Sequence, residues 1–318
     1  MKIARVFPTR TSFSPDDADA YFAAPELFTR RDYDEVHVSV AFSWDMARGH
    51  QLKKDWESVC ANVKIGGCAF GSHAGEFEVG MYLKKGNVIT SRGCPNRCGF
   101  CLVPQREGAL RELQIKEGHI IQDNNFLACS RDHQRKVFEM LRRQHGIEFK
   151  GGLESRRITS KVADEFRSLR INALWLACDR DADLKPLHKA VRILQKAGFR
   201  RYQLRCYVLI GKDMQQEQER LKAIFRMGVL PSAQIYQPFD AVEKISYSKE
   251  WSKFLKHWSR PAIYKAAMKE EKMRKVEMTE EQKADCRTEY KFGLIVLALV
   301  VATLSVVFLI STYYPKGH

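Results

Sequence analysis

Cys94, Cys98 and Cys101 fall within the run Ser91-Arg92-Gly93-Cys94-Pro95-Asn96-Arg97-Cys98-Gly99-Phe100-Cys101, a C-x3-C-x2-C spacing on a segment rich in Gly, Pro and Asn. Three clustered thiolates in a reduced compartment mean a metal ion or an iron–sulfur cluster. A structural zinc normally takes four protein ligands, and the sequence offers no second CxxC or CxxH pair to complete one. A [4Fe–4S] cluster held by three cysteines leaves one iron open, and an open iron can bind a small chelating ligand. A zinc ion completed by one distant Cys or His stays open as an alternative. So does a cluster that only carries electrons, although carriers generally close their clusters with four thiolates.

The elements that must position this loop form a repeat of structure. Strand-like runs occur near Asn87–Thr90, Ile120–Gln122, Glu148–Lys150, Ala173–Leu176, Arg205–Ile210 and Ala233–Tyr236. Helical periodicity fills the gaps: Val137, Met140 and Leu141; Val162, Phe166 and Leu169; Leu184, Leu187, Val191 and Leu194; Leu221, Ile224 and Phe225. The strands recur about every thirty residues, the length of one βα unit. This pattern predicts an α/β fold with a parallel sheet curled into a partial (βα)6 barrel. Enzymes of that architecture work at the carboxyl ends of their strands. The cysteine loop follows the first strand, at that edge.

Motif and position together resemble the radical S-adenosylmethionine (SAM) superfamily, whose signature is C-x3-C-x-aromatic-C on the loop after the first strand of a partial (βα)6 barrel. Cys94, Cys98, Phe100 and Cys101 match in type, spacing and place, and the resemblance covers about residues 87 to 238. It implies that the three cysteines hold a [4Fe–4S] cluster and that Phe100 belongs to the cofactor site. It also implies that SAM chelates the open iron and is cleaved reductively to a 5′-deoxyadenosyl radical that takes hydrogen from a substrate. A flavodoxin- or ferredoxin-like electron donor is implied as partner.

Further SAM contacts follow from the same resemblance. Gly151 and Gly152 would let the backbone approach the ligand. Glu154 and Arg156 would meet its polar groups, and Gly211, closing Val208-Leu209-Ile210-Gly211, would lie beside the adenine. The alternative for 151–157 is a turn followed by charges at a helix start. The usual Pro-Gly continuation after Gly211 is missing. Asp123-Asn124-Asn125-Phe126 reads equally as a rim facing SAM or substrate and as a local Asx turn. Tyr236 and Gln237 are weaker candidates at the sixth strand end. Cys178 and Cys206 read as small buried hydrophobes. Cys129 reads the same way, with a thiol near the site as its alternative. The scattered remaining cysteines argue against a second cluster, and so against the methylthiotransferase branch.

The expected organisation is an N-terminal α/β extension over 1–84, the barrel over 85–240, a basic helical linker over 241–291 and a transmembrane helix over 292–314. The extension rests on strands at Val36–Phe42 and Val63–Ile65 with a helix between Met46 and Cys60, and Gly66-Gly67 reads as a tight turn. It is similar to a reduced cobalamin-binding domain but lacks the Asp-x-His-x-x-Gly motif, so no cobalamin is expected. Phe292–Tyr314 holds no charged residue, and its 23 residues would reach roughly 34 Å as a helix against a bilayer core of about 30 Å. Lys283, Arg287 and Lys291 precede it and only Lys316 follows. The positive-inside bias then leaves the catalytic part in the cytoplasm. Trp251, Phe254, Leu255 and Trp258 give the linker an apolar face, read as packing on the main domain, with contact to anionic lipid as the alternative.

The chain has 318 residues and 45% hydrophobic content, which excludes a disordered or wholly membrane-embedded protein. Its 53 Lys and Arg against 38 Asp and Glu give +15, suited to membrane lipid, an acidic substrate or nucleic acid alike. An odd count of nine cysteines and no apolar leader at Met1–Arg10 point to a reduced setting. The basic surplus keeps a zinc-holding nucleic-acid-binding protein open as the non-enzymatic alternative, though no recognised nucleic-acid module is visible.

Overall fold

The computed structural model describes residues 1–30, 32–73, 76–77, 81–238 and 242–269. Met1–Arg260 form one compact unit, and Pro261 begins a second. The first unit is mixed α/β and contains two parallel sheets.

The N-terminal sheet has the order β2-β1-β3-β4, from β1 (Ile3–Val6), β2 (Ala20–Tyr21), β3 (Glu35–Ser39) and β4 (Val63–Gly66), all pairs parallel. Helix α1 (Met46–Trp56) crosses from β3 to β4. Val6, Val36, Val38, Leu52, Trp56 and Ile65 make its core. Trp56 is fully buried, and its indole N–H is satisfied by the carbonyl of Ala23 at 3.1 Å.

The larger sheet has the order β12-β11-β10-β9-β8-β5, again all parallel. Its strands are β5 (Asn87–Val88), β8 (Ile120–Ile121), β9 (Ile147–Leu153), β10 (Ile171–Ala177), β11 (Leu204–Ile210) and β12 (Leu230–Ile235). From β5 to β12 each strand pairs with the next of the series, and β5 and β12 remain as the edges. The crossovers are α3 (Arg131–Arg142), α4 (Ser160–Arg167), α5 (Leu184–Lys196) and α6 (Met214–Arg226). Parallel neighbours require such crossovers, because a tight turn cannot reverse the chain twice. Sequence cues fix three helix starts: the side chains of Ser130, Thr159 and Asp213 accept from the backbone N–H of His133, Val162 and Gln216.

Alternation along the strands sorts their faces. Phe149, Leu174, Leu176, Cys206 and Val208 are buried, and the Phe149 ring lies 4.9 Å from that of Phe166 on α4. Burying five such side chains is worth about 10 kcal/mol in transfer free energy before chain entropy is subtracted. Half-buried Trp175 and Tyr207, set off from them by the two-residue period, stack at 4.5 Å.

Between β5 and β8 the chain makes an antiparallel pair, β6 (Ser91–Arg92) with β7 (Arg111–Glu112), and α2 (Val103–Arg106) lies between the two arms. The cysteine loop is therefore part of a hairpin inserted after the first strand of the large sheet.

Helix α7 (Lys249–Trp258) buries Phe254 and Trp258. Just beyond it the Ser259 hydroxyl donates to the carbonyl of Ala233 on β12 at 3.2 Å, in line with packing on the main domain. Among the described residues no helix is long and apolar enough to cross a membrane. The transmembrane segment expected at 292–314, and the linker from 270 onward, lie outside the described residues.

Candidate functional site

The cysteine loop is held by the end of β8. Asp123, 2% exposed, accepts from the Thr90 backbone N–H and hydroxyl at 2.6 Å each and from the Ser91 hydroxyl at 2.8 Å. The next side chain, Asn124, accepts from the Gly93 N–H at 3.0 Å. Asn125 then places its Nδ2 3.4 Å from Cys94 Sγ and 2.9 Å from Glu154 Oε2. Three consecutive side chains thus fix the residues leading into Cys94. Besides the two roles the sequence offers for the Asx run, a local turn or a ligand-facing rim, its side chains clamp the loop. Burial pushes the Asp123 carboxyl up even though Thr90 and Ser91 donate to it.

Gly93 and Gly151 make this packing possible. Gly93 has φ +82°, and a Cβ there would sit 2.2 Å from the Ala109 carbonyl oxygen. A Cβ on Gly151 would sit 1.7 Å from the Asp123 carbonyl oxygen. The close approach expected at Gly151 is therefore used by protein backbone. Gly152 takes φ +90° with no close neighbour.

The three thiols feel one another. Burial pushes the Cys98 thiol up, and Cys101 and Cys94 add to the rise while Arg180 opposes it. Burial likewise raises Cys101, and Cys94 contributes to it. A turn joins the pair, the Cys101 N–H donating to the Cys98 carbonyl at 3.0 Å. Cys94 Sγ accepts from the Asn96 N–H at 3.4 Å as well as from Asn125. Mutually repelling thiolates with amide donors aimed at one sulfur are the donor set a metal or cluster needs, since both features are relieved or used when a cation arrives. Among the described residues no group of three or more His, Cys, Asp or Glu already stands in an ion-holding arrangement.

Glu154 closes the other side. Burial would raise its carboxyl, but hydrogen bonds from Asn125, Arg157 and Asn96 outweigh that and hold it below the usual range. The Arg157 Nε donates to it at 2.7 Å. Arg156 instead reaches Asp183 at 2.8 Å and is half exposed. Glu154 and Arg156 thus have different side-chain partners, and Arg157, which the sequence did not single out, is the one that bonds Glu154.

Phe100 lines two cavities at the carboxyl edge of the large sheet. One, of about 650 Å³, runs past Gly99, Asp179, Ile210, Lys212 and Tyr236. The other, of about 620 Å³, includes Cys98, Cys101 and Tyr236. Gly211 follows β11 with φ +126°, and its N–H donates to Glu217 Oε2 at 3.0 Å. A Cβ on it would press within 2.9 Å of the Tyr247 hydroxyl. Tyr247 in turn donates to the Tyr236 carbonyl at 2.7 Å. Gln237 turns away to the Ile245 backbone.

Cys178 and Cys206 are fully buried. Cys129 is buried beside Ser91 and Asp123, and burial pushes its thiol up to about 11, which keeps it protonated near neutral pH.

No protein-family model matches the chain, and no curated protein matches it.

Proposed function

We propose that this chain is a radical SAM enzyme, with its large sheet acting as a partial (βα)6 barrel. The observation that carries the reading is the placement of Cys94, Cys98 and Cys101. They lie on the loop following the first strand of a sequentially ordered parallel sheet, at its carboxyl edge, beside cavities that Phe100 lines. Cys94, Cys98 and Cys101 would hold a [4Fe–4S] cluster. When bound, the cluster with SAM supplies one-electron reductive cleavage and a carbon-centred radical able to take hydrogen from a substrate.

This chain's own residues do the positioning. Asp123 and Asn124 fix the backbone on the approach to Cys94. Asn125 and the Asn96 N–H donate toward the Cys94 sulfur and fix its direction in the loop. Glu154, kept ionised by Asn125, Arg157 and Asn96, offers a carboxylate suited to an amino group brought to the loop. Phe100 and Tyr236 give the adjoining cavities apolar walls that help to exclude water.

A flavodoxin- or ferredoxin-like reductant and a C-terminal membrane anchor at 292–314 belong to the same proposal. The test is metal content and spectroscopy after anaerobic reconstitution. Iron and sulfide near four each per chain, with an electron-spin signal that SAM perturbs, support the reading. Zinc at one per chain, with no such signal, overturns it.

A further inference from the structure

Helix α7 has two opposite faces. Phe254 and Trp258, four residues apart, are buried, and the helix packs on β12. Lys249, Lys253 and Lys256 follow the i, i+4, i+7 spacing that keeps side chains on one stripe of a helix. At 3.6 residues per turn, that stripe lies roughly 150° around the axis from Phe254 and Trp258. All three lysines are exposed, and so is Arg260, two residues past the helix end.

The stripe lacks counter-charge. Among the described residues, none of Lys249, Lys253, Lys256 and Arg260 makes an ion pair or a side-chain hydrogen bond. Glu250 is the one acidic residue of the helix, and it lies a quarter turn away from Lys249. The exposed cations of α3 are arranged otherwise. Arg135 there bonds Asp132 at 2.5 Å and Glu139 at 2.9 Å, and Lys136 meets Asp132 at 2.8 Å. Charges of one sign gathered on one face attract an extended anionic partner.

The apolar side of α7 is already taken by β12, so the helix has no face to bury among acyl chains. What it offers outward is charge, at the level of headgroups. The sequence after it favours a membrane over nucleic acid as the source of those anions. Phe292 stands 32 residues beyond Arg260 and opens the 23-residue run without a charged residue. Those 32 residues cannot span more than roughly 110 Å even when fully extended. An anchor at 292–314 would therefore turn the meeting of α7 with the bilayer into an intramolecular event. The positive-inside bias puts α7 on the side whose leaflet carries anionic lipid.

We propose that the Lys249–Lys253–Lys256 face of α7, with Arg260, docks on anionic phospholipid headgroups as an electrostatic contact without insertion. The presence of a bilayer nearby rests on the proposed anchor; the charge of the face does not.

The test is lysine acetylation of the full chain, read by peptide mapping. The chain is inserted into preformed vesicles of phosphatidylcholine alone, or of equal parts phosphatidylcholine and phosphatidylserine. The expected result is labelling of Lys249, Lys253 and Lys256 at least tenfold slower on the phosphatidylserine vesicles, restored by high salt. Lys253→Gln should lessen the protection of Lys249 and Lys256 by about fivefold, the share of one cation at such a surface. Equal labelling on both vesicles overturns the proposal; if alkaline washing leaves the chain in place, the anchor stands. Protection spread evenly over the exposed lysines, Lys54 on α1 and Lys161 on α4 included, also overturns it. Protection by single-stranded RNA added to the detergent-solubilised chain, with none on phosphatidylserine vesicles, overturns it in favour of nucleic acid. A chain that alkali strips from both vesicles, yet shows the protection on phosphatidylserine before washing, supports the face and tells against the anchor.

Discussion

The Nδ2 of Asn125 lies 3.4 Å from the Sγ of Cys94, and the same amide donates to Glu154 at 2.9 Å. One side chain thus couples a cysteine of the loop after β5 to a carboxylate at the end of β9. Outer-shell donors of this kind typically cost 10- to 100-fold in metal affinity or activity when removed. Asn125→Ala should therefore keep most of the iron but lower 5′-deoxyadenosine formation by about tenfold or more. Iron analysis beside a product assay checks it; a variant as active as the parent would remove Asn125 from the site.

Asp123 is the residue whose loss should cost the most fold. It accepts three hydrogen bonds in a buried place, so Asp123→Ala should destabilise by about 3 kcal/mol in denaturant titrations. The pH dependence has a definite sign. Burial raises the folded-state carboxyl above its ordinary value, so the folded chain binds the proton to higher pH than the unfolded chain. The resulting stabilisation is full below about pH 4, the unfolded value, and is lost as pH rises through the folded one. The stability of the parent relative to Asp123→Asn should accordingly fall with rising pH. A difference that grows with pH would contradict the assignment.

Cys98 and Cys101 should be slow nucleophiles in the metal-free protein. Both thiols are pushed up by burial and by neighbouring cysteines, so less thiolate is present at pH 8 than in an unfolded chain. Iodoacetamide labelling followed by peptide mapping should show slower modification folded than in denaturant, with the gap closing as pH increases. Iron and sulfide should protect both sites. Faster labelling in the folded chain would mean that the environment favours thiolate.

Gly151 and Gly152 should respond differently to substitution. An added Cβ at Gly151 meets the Asp123 carbonyl at 1.7 Å, a backbone clash expected to cost about 3 kcal/mol or more and to loosen the clamp on Cys94. At Gly152 the cost is the positive φ alone, roughly 1–2 kcal/mol. Unfolding curves of Gly151→Ala and Gly152→Ala should rank in that order, and equal losses would deny Gly151 its packing role.

What could be read from the sequence follows the strength of local patterning. The apolar runs of β10 and β11, the short alternation Glu148-Phe149-Lys150 in β9 and the helix faces built on Val137, Phe166, Leu187 and Leu221 are legible, because burial imposes a period. β12 begins at Leu230, three residues before the expected start, because Pro231 masks it; an edge strand tolerates proline. β1 is four residues with a charged Arg5 inside, too short to show a period, and the two-residue arms β6 and β7 carry no pattern at all. The cysteine motif is visible because its three cysteines are close in sequence. The clamp is not, because Asp123, Asn124 and Asn125 meet partners about thirty positions away. The Arg157–Glu154 bond is not legible in the sequence, because one residue's shift at a turn changes which side chain faces Glu154.

Anaerobic incubation of the reconstituted chain with dithionite and SAM, followed by measurement of 5′-deoxyadenosine, tests the proposed radical SAM reaction most directly. The expected result is formation of 5′-deoxyadenosine in the parent and its loss when Cys94, Cys98 or Cys101 is replaced by Ala. Undiminished formation in those three variants, or none in a parent carrying iron at cluster stoichiometry, would contradict it.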